Sequence, residues 1–201
     1  MFSSSLLLPA ALGAALAYLI GSLSTAVIVC RLAGLPDPRT GGSKNPGATN
    51  VLRLGGRLPA ALTLLGDGLK GFLPVAVAAL VLAHPPSVAL VALAAFLGHL
   101  YPVFFEFRGG KGVATALGAL LGVSATVGAL ALVTWLAVSL TFRRSSLAAL
   151  VTFALVPAFL LIDGQRTFAV LFASIAAFLL YTHRENVRRL AGGTEPAIGE
   201  R

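Results

Sequence analysis

One cysteine, three histidines and seven acidic residues are all that 201 positions offer of the side chains from which most soluble catalytic centres are built. Cys30 alone can form neither an internal disulfide nor a thiolate metal cluster. His84, His99 and His183 fall in segments of different depth and face, so they do not share a metal, and no cofactor is expected. The acids are too scattered to provide a carboxylate pair for hydrolysis, and no serine sits in a Gly-x-Ser-x-Gly elbow. There is no internal repeat and no GxxxxGK[ST] loop behind a strand, and no nucleic-acid partner is expected. Charge of either sign is rare, with 11% of residues charged against 57% hydrophobic. A soluble domain of this size does not have that balance, so lipid is part of the solvent.

What is present is apolar and helical in pattern. A bilayer core of about 30 Å takes roughly 20 apolar residues per crossing, and the Leu, Ala and Val runs do not alternate as barrel strands would. The fold expected is an all-α, polytopic bundle forming a single domain over 1–201, with helices near 6–31, 60–83, 87–105, 112–122, 123–141, 145–162 and 166–182. The opening residues before Leu6 lack the basic region of a signal peptide, so the first helix is expected to be retained. Gly122-Val-Ser124 is either a tight turn or the middle of one longer helix, and the choice sets the side on which everything downstream lies. With about seven crossings, every Lys and Arg except Arg166 gathers on one side. The positive-inside rule then places the amino terminus outside and the carboxyl terminus in the cytoplasm.

That parity collects three polar segments on one face. Residues 40–50, Thr-Gly-Gly-Ser-Lys-Asn-Pro-Gly-Ala-Thr-Asn, combine glycines with neutral hydrogen-bonding side chains ahead of a helix, and Arg53 and Arg57 follow. Exposed amides at a helix start favour an anion; a flexible capped loop is the plainer alternative. Residues 108–112, Arg-Gly-Gly-Lys-Gly, precede another helix start near Val113. Residues 181–190 put His183 and Asn186 on one helix face among Arg184, Arg188 and Arg189. His183 is a candidate general base or oxyanion donor, or simply complements a helix carboxyl end. Asp67 and Lys70 are either an ion pair securing their helix or functional charges within the membrane. Glu106 and Glu195 are expected to pair with arginines, Ser145 and Ser146 to cap a helix with Ser146 also within reach of a phosphate, and His99 to orient the loop after it.

Taken together, the segments resemble the PlsY family of bacterial acyl-phosphate:glycerol-3-phosphate acyltransferases over nearly the whole chain. Residues 35–56 look like that family's first motif, 98–115 its second, and 183–190 with Glu195 its third, while Gly66-Asp-Gly-Leu-Lys-Gly71 matches a shorter shared stretch. One departure is Lys44, where the family usually has glycine. The resemblance implies transfer of a fatty acyl group from acyl phosphate to the 1-hydroxyl of glycerol 3-phosphate, giving lysophosphatidate and phosphate in phospholipid biosynthesis. It implies direct attack without an acyl-enzyme, in keeping with the missing nucleophile elbow and with the lack of an Asp four residues after any His. By the same resemblance, Ser43, Asn45, Thr49 and Asn50 would contact the acyl phosphate, Arg53 and Lys111 bridge both phosphates, and His183 with Asn186 orient or activate the glycerol 3-phosphate. Gly47, Gly109, Gly110, Gly112, Thr115 and Ser146 would complete the substrate-binding set. A monomer in the bacterial cytoplasmic membrane is expected, its site facing the cytoplasm, surrounded by membrane lipid and supplied by a soluble acyl-phosphate synthase. A phosphate or anion transporter is the alternative, though its polar groups would sit near the midplane of paired discontinuous helices.

Overall fold

The computed structural model describes residues 4–200, with side chains from Leu6 onward; residues 1–3 and 201, including most of the start expected to lack a basic region, lie outside it. The architecture is all-helical: α1 (Ser4–Gly21), α2 (Thr25–Leu32), α3 (Ala48–Gly55), α4 (Arg57–Leu82), α5 (Pro85–Leu100), α6 (Val113–Val123), α7 (Ala125–Phe142), α8 (Ser145–Ile162), α9 (Arg166–Thr182) and α10 (Arg184–Ala191). Leu6–Leu32, Arg57–Leu82, Pro85–Phe105, Ala125–Phe142 and Ser145–Ile162 are each long and apolar enough to cross a bilayer. α9 with α10 forms a sixth candidate bent by 65°, and α6 is shorter than any of these. Large apolar side chains such as Leu8, Leu80, Leu140 and Ile162 are exposed on the outer surface, as a lipid-facing protein requires.

Two expected helices are modified. The first is broken at Ser22–Ser24, and the carbonyl of Leu23 left free by the break accepts a hydrogen bond from Lys70 Nζ at 2.8 Å. The second is preceded by the separate short α3, because Gly56 takes φ +81° and turns the chain. Gly122-Val-Ser124 is a turn. Ser124 is extended (φ −147°, ψ 109°) and its hydroxyl accepts from the amide of Val127. α7 folds back so closely that a Cβ on Gly128 would lie 2.9 Å from the Cα of Leu121. At this end of the bundle the Ser124 hydroxyl also donates to Asp163 Oδ2 at 3.0 Å, joining the α6–α7 and α8–α9 turns.

Helices α4 and α6 run side by side in the same direction at backbone contact. A Cβ on Gly118 would come within 2.0 Å of the Gly68 carbonyl, and one on Gly71 within 2.1 Å of the Thr115 carbonyl. Between helices in lipid, where apolar side chains gain little by leaving the solvent, such close backbone packing is a principal source of association. Phe96, Leu120, Phe153, Leu160, Phe172 and Ile175 fill the remaining interior, with the Phe153 and Phe172 rings stacked at 6.5 Å. Because a methyl at residue 118 meets backbone rather than a movable side chain, Gly118→Ala should cost about 1–3 kcal/mol. A clear drop in thermal midpoint in detergent is the expected readout.

Candidate active site

The first polar segment is a loop closed by Asn50. This residue is 1% exposed; its Nδ2 donates to the carbonyls of Pro38 (2.9 Å) and Gly41 (3.1 Å), and its Oδ1 accepts from the amide of Ser43 (2.8 Å). Asn50 therefore spends its amide on shaping the loop, and not on an open face. Asp37 and Arg39 pair at 2.8 Å at the loop's entrance. Lys44 holds φ +57° and is exposed, a left-handed position where glycine carries no steric cost. Ser43 is exposed, while Asn45, Gly47 and Thr49 are half-buried. Gly47 caps α3, with its carbonyl accepting from Asn50 and Val51, and the Thr49 hydroxyl reaches Ser145 Oγ at 3.4 Å. Arg53 projects from α3 and donates through Nε to the Glu200 carbonyl at 2.9 Å.

The second segment lies against the end of α5. The amide of Gly110 donates to the His99 carbonyl at 3.2 Å, and a Cβ on Gly109 would fall 2.0 Å from that same oxygen. A Cβ on Gly110 would meet His99 Nε2 at 2.4 Å and the Pro46 carbonyl at 2.9 Å, so first and second segments touch. Gly112 (φ +89°) starts α6 against the Phe96 ring. These glycines thus have a packing reason to be glycine, beside any contact with substrate. The arrangement also agrees with the expectation that His99 orients the loop.

The third segment receives Lys111, whose ammonium donates to Asn186 Oδ1. Asn186 Nδ2 in turn donates to Glu195 Oε1 at 2.6 Å. The same carboxylate accepts from Ser146 Oγ at 2.6 Å and from Arg189 Nε at 2.8 Å. Burial acts to raise the Glu195 pKa, but these three donors outweigh it and hold the carboxyl below its ordinary value. Burial lowers Lys111 to about 8; Glu195 opposes that shift, while the charges of Arg189 and Arg53 add to it. His183, at the bend beyond α9, is held at about 4 by burial and then by the charge of Lys111. Its Nδ1 lies 2.8 Å from the Leu179 carbonyl, which makes Nδ1 the protonated nitrogen and leaves Nε2 as the basic one.

The structure therefore brings Lys111, His183, Asn186, Ser146, Thr49 and Arg53 to one end of the bundle. Thr115 is drawn elsewhere: it is fully buried and its hydroxyl donates to the Asp67 carbonyl at 2.9 Å, inside the α4–α6 contact. Neither Ser145 nor Ser146 caps α8, whose N-cap is Arg144 without a side-chain bond, because both hydroxyls have partners across the site. Glu106 forms no ion pair among the described residues, and it takes φ +58° at the end of a short turn. Glu195 pairs with Arg189 as expected. Its hold on Asn186 and Ser146 was not foreseen, although an isolated acid in so basic a tail was the available signal. Asp67 and Lys70 do form an ion pair, at 2.8 Å.

An apolar groove of about 460 Å³ runs between α8 and α9, lined by Leu150, Phe153, Ala154, Ala176, Leu179 and Leu180 among others. It adjoins the polar cluster, since Leu150 is one helical turn from Ser146 and Leu179 supplies the carbonyl that orients His183.

Removing the acceptor shared by Ser146, Asn186 and Arg189 leaves the buried donors of Ser146 and Asn186 unpaired. Glu195→Ala should lower stability on the order of 2–4 kcal/mol, seen as a reduced thermal midpoint and yield. Glu195→Gln, which keeps one carbonyl oxygen, should recover part of it.

The family model described as glycerol-3-phosphate acyltransferase matches residues 11–193. The chain is 56% identical over 186 residues to the glycerol-3-phosphate acyltransferase of Thioalkalivibrio sulfidiphilus, covering 92% of each protein. It is 54% identical over 186 residues to that of Methylococcus capsulatus, covering 91% of this chain and 93% of the relative. Among solved structures, PlsY (YgiH), described as an integral membrane glycerol 3-phosphate acyltransferase, matches in its glycerol 3-phosphate form with a TM-score of 0.90 and 38% identity. That match covers 94% of this chain and 95% of the other, and the lysophosphatidic acid form gives a TM-score of 0.88 at 37% identity. With sequence and fold agreeing along almost its full length, the chain belongs to the glycerol-3-phosphate acyltransferase family.

Proposed function

We propose that this membrane glycerol-3-phosphate acyltransferase takes its acyl group from an acyl phosphate and transfers it by direct attack. The observation that carries this is Lys111: a cation set among Arg53 and Arg189, held by a neutral amide, beside a histidine and with no activated nucleophile near it. A mixed anhydride needs none. The 1-hydroxyl oxygen of glycerol 3-phosphate bonds to the acyl carbon, the carbon–oxygen bond to phosphate breaks, and the hydroxyl proton passes to the departing phosphate or to His183 Nε2. Lys111 and Arg53 stabilise the charge that develops on the phosphate oxygens, and Asn186 and His183 set the angle of the alcohol. Ser43, Asn45, Gly47 and Thr49 line the donor side with the glycines of residues 109–112, Ser146 lies behind Asn186, and Asn50 and Thr115 hold these elements in place.

The donor's tail occupies the groove between α8 and α9, where membrane lipid would otherwise lie. About seven crossings with the amino terminus outside suit the gathering of cations at the site's end and of Arg166 at the other. On that basis the site opens to the cytoplasm; a monomer in the bacterial cytoplasmic membrane, fed by a soluble acyl-phosphate synthase, is the remainder of the reading and is carried over from the family resemblance.

Purified protein should form lysophosphatidate and phosphate from acyl phosphate and labelled glycerol 3-phosphate without added metal or coenzyme A. Turnover of acyl-CoA but not of acyl phosphate overturns the donor assignment. Lys111→Ala should reduce kcat/KM by about 10²-fold or more while the protein stays folded. With its pKa near 8, Lys111 is charged below that pH and neutral above it. The kcat/KM for glycerol 3-phosphate should therefore fall about tenfold per pH unit on the alkaline side, and Lys111→Arg, if active, should lose that limb because guanidinium does not titrate there. Ala154→Phe narrows the groove and should shift preference from hexadecanoyl to decanoyl phosphate by about tenfold, measured as a ratio of kcat/KM values.

A further inference from the structure

Beneath the 109–112 loop lies a group of ionisable side chains that the transfer itself does not use. Asp67 and Lys70 of α4 and His99 of α5 are between 3% and 6% exposed, inside segments apolar enough to span the membrane. Lys70 Nζ lies 2.8 Å from Asp67 Oδ1 and donates to the Leu23 carbonyl in the break between α1 and α2. His99 Nδ1 lies 3.6 Å from the same carboxylate oxygen, an electrostatic contact and not a hydrogen bond. On the ring's other edge, Nε2 faces Gly110 so tightly that no Cβ fits between them, and the His99 carbonyl accepts the Gly110 amide. The backbone of Asp67 is fixed in turn by the Thr115 hydroxyl, from the first turns of the helix that Gly112 starts.

Burying ionisable groups is costly unless their geometry is tightly satisfied, and apolar side chains in their place would secure helix packing at no such cost. What this cluster provides, and apolar packing does not, is an imidazole with a carboxylate facing its Nδ1 edge and the Gly110 backbone packed against its Nε2 edge. The residue after Gly110 is Lys111. We infer that Asp67, Lys70 and His99 are positioning residues for the transfer, acting through the Gly110 backbone to set where the Lys111 ammonium stands. This rests on the role given to Lys111 above. The cluster reaches the three elements that must agree for the site to form: the α1–α2 break, the start of α6 and the end of α5.

The test compares His99→Gln and Gly110→Ala, which disturb one contact from its two sides, with wild type and Lys111→Arg. For each, the thermal midpoint, kcat and KM for glycerol 3-phosphate, and the alkaline limb of kcat/KM are measured. Both variants should keep a folded midpoint yet lose on the order of tenfold to hundredfold in kcat/KM, with the limb displaced from its wild-type position because the ammonium has changed surroundings. Combined with Lys111→Arg, the His99→Gln loss should fall well short of multiplying, since both act through one group. A His99→Gln protein that melts earlier but whose folded fraction shows wild-type KM and an unmoved limb would overturn the inference. If that variant does not fold, normal kinetics in folded Gly110→Ala would do the same. If Lys111→Ala itself proves active, the role of Lys111 has failed; if Lys111 is essential and only the His99 and Gly110 effects are missing, the positioning claim alone has failed.

Discussion

A cation at the end of an apolar bundle has to be held in place without being neutralised, and the way Lys111 is held governs the rest of the site. Its direct partner is the oxygen of Asn186, an amide with no charge to give. The nearest carboxylate, Glu195, is one residue further away and is occupied by Ser146, Asn186 and Arg189. Had Glu195 met Lys111 directly, the pair would have been self-contained and an incoming phosphate would have had to break it. With asparagine interposed, the acid fixes the amide's orientation, the amide fixes the ammonium, and the positive charge stays available to an anion. Four separate parts of the chain are committed to this arrangement: the 109–112 loop, α8, α10 and the tail beyond it.

Such an arrangement needs a rigid support, which the glycine-lined contact of α4 with α6 supplies. Because those helices touch along their backbones, the start of α6 cannot slide against α4, and the Thr115 bond to the Asp67 carbonyl fixes their register. Close backbone packing and polar chemistry are thus parts of one design, with the first determining where the second can be placed.

Much of this was legible in the residues. Helix starts near Val113 and Ser145, the shared face of His183 and Asn186, and the gathering of basic segments at one end all follow from local spacing and from counting cations. The Gly122-Val-Ser124 ambiguity was settled by geometry, since only the tight turn brings Thr49 to Ser145 and Lys111 to Asn186. What escaped were the pairings across long stretches of sequence. A serine at a helix start looks like a cap until a glutamate from the far tail turns out to claim its hydroxyl. Thr115 and Asn50 look like ligands because they sit in polar motifs, but both spend their hydrogen bonds on neighbouring backbone. Composition shows which polar groups exist; it does not show which of them another part of the chain has already engaged.

The brevity of α6 carries a further consequence. Its 11 residues, at 1.5 Å each, rise about 16 Å, near half of the ~30 Å hydrocarbon thickness. A helix that short cannot bring its first residue to one surface while its last reaches the other, so either the glycine-rich start beside Lys111 or the turn into α7 stops within the apolar thickness. For the acyl transfer proposed above, a start drawn inward in this way would let the product pass sideways into the leaflet.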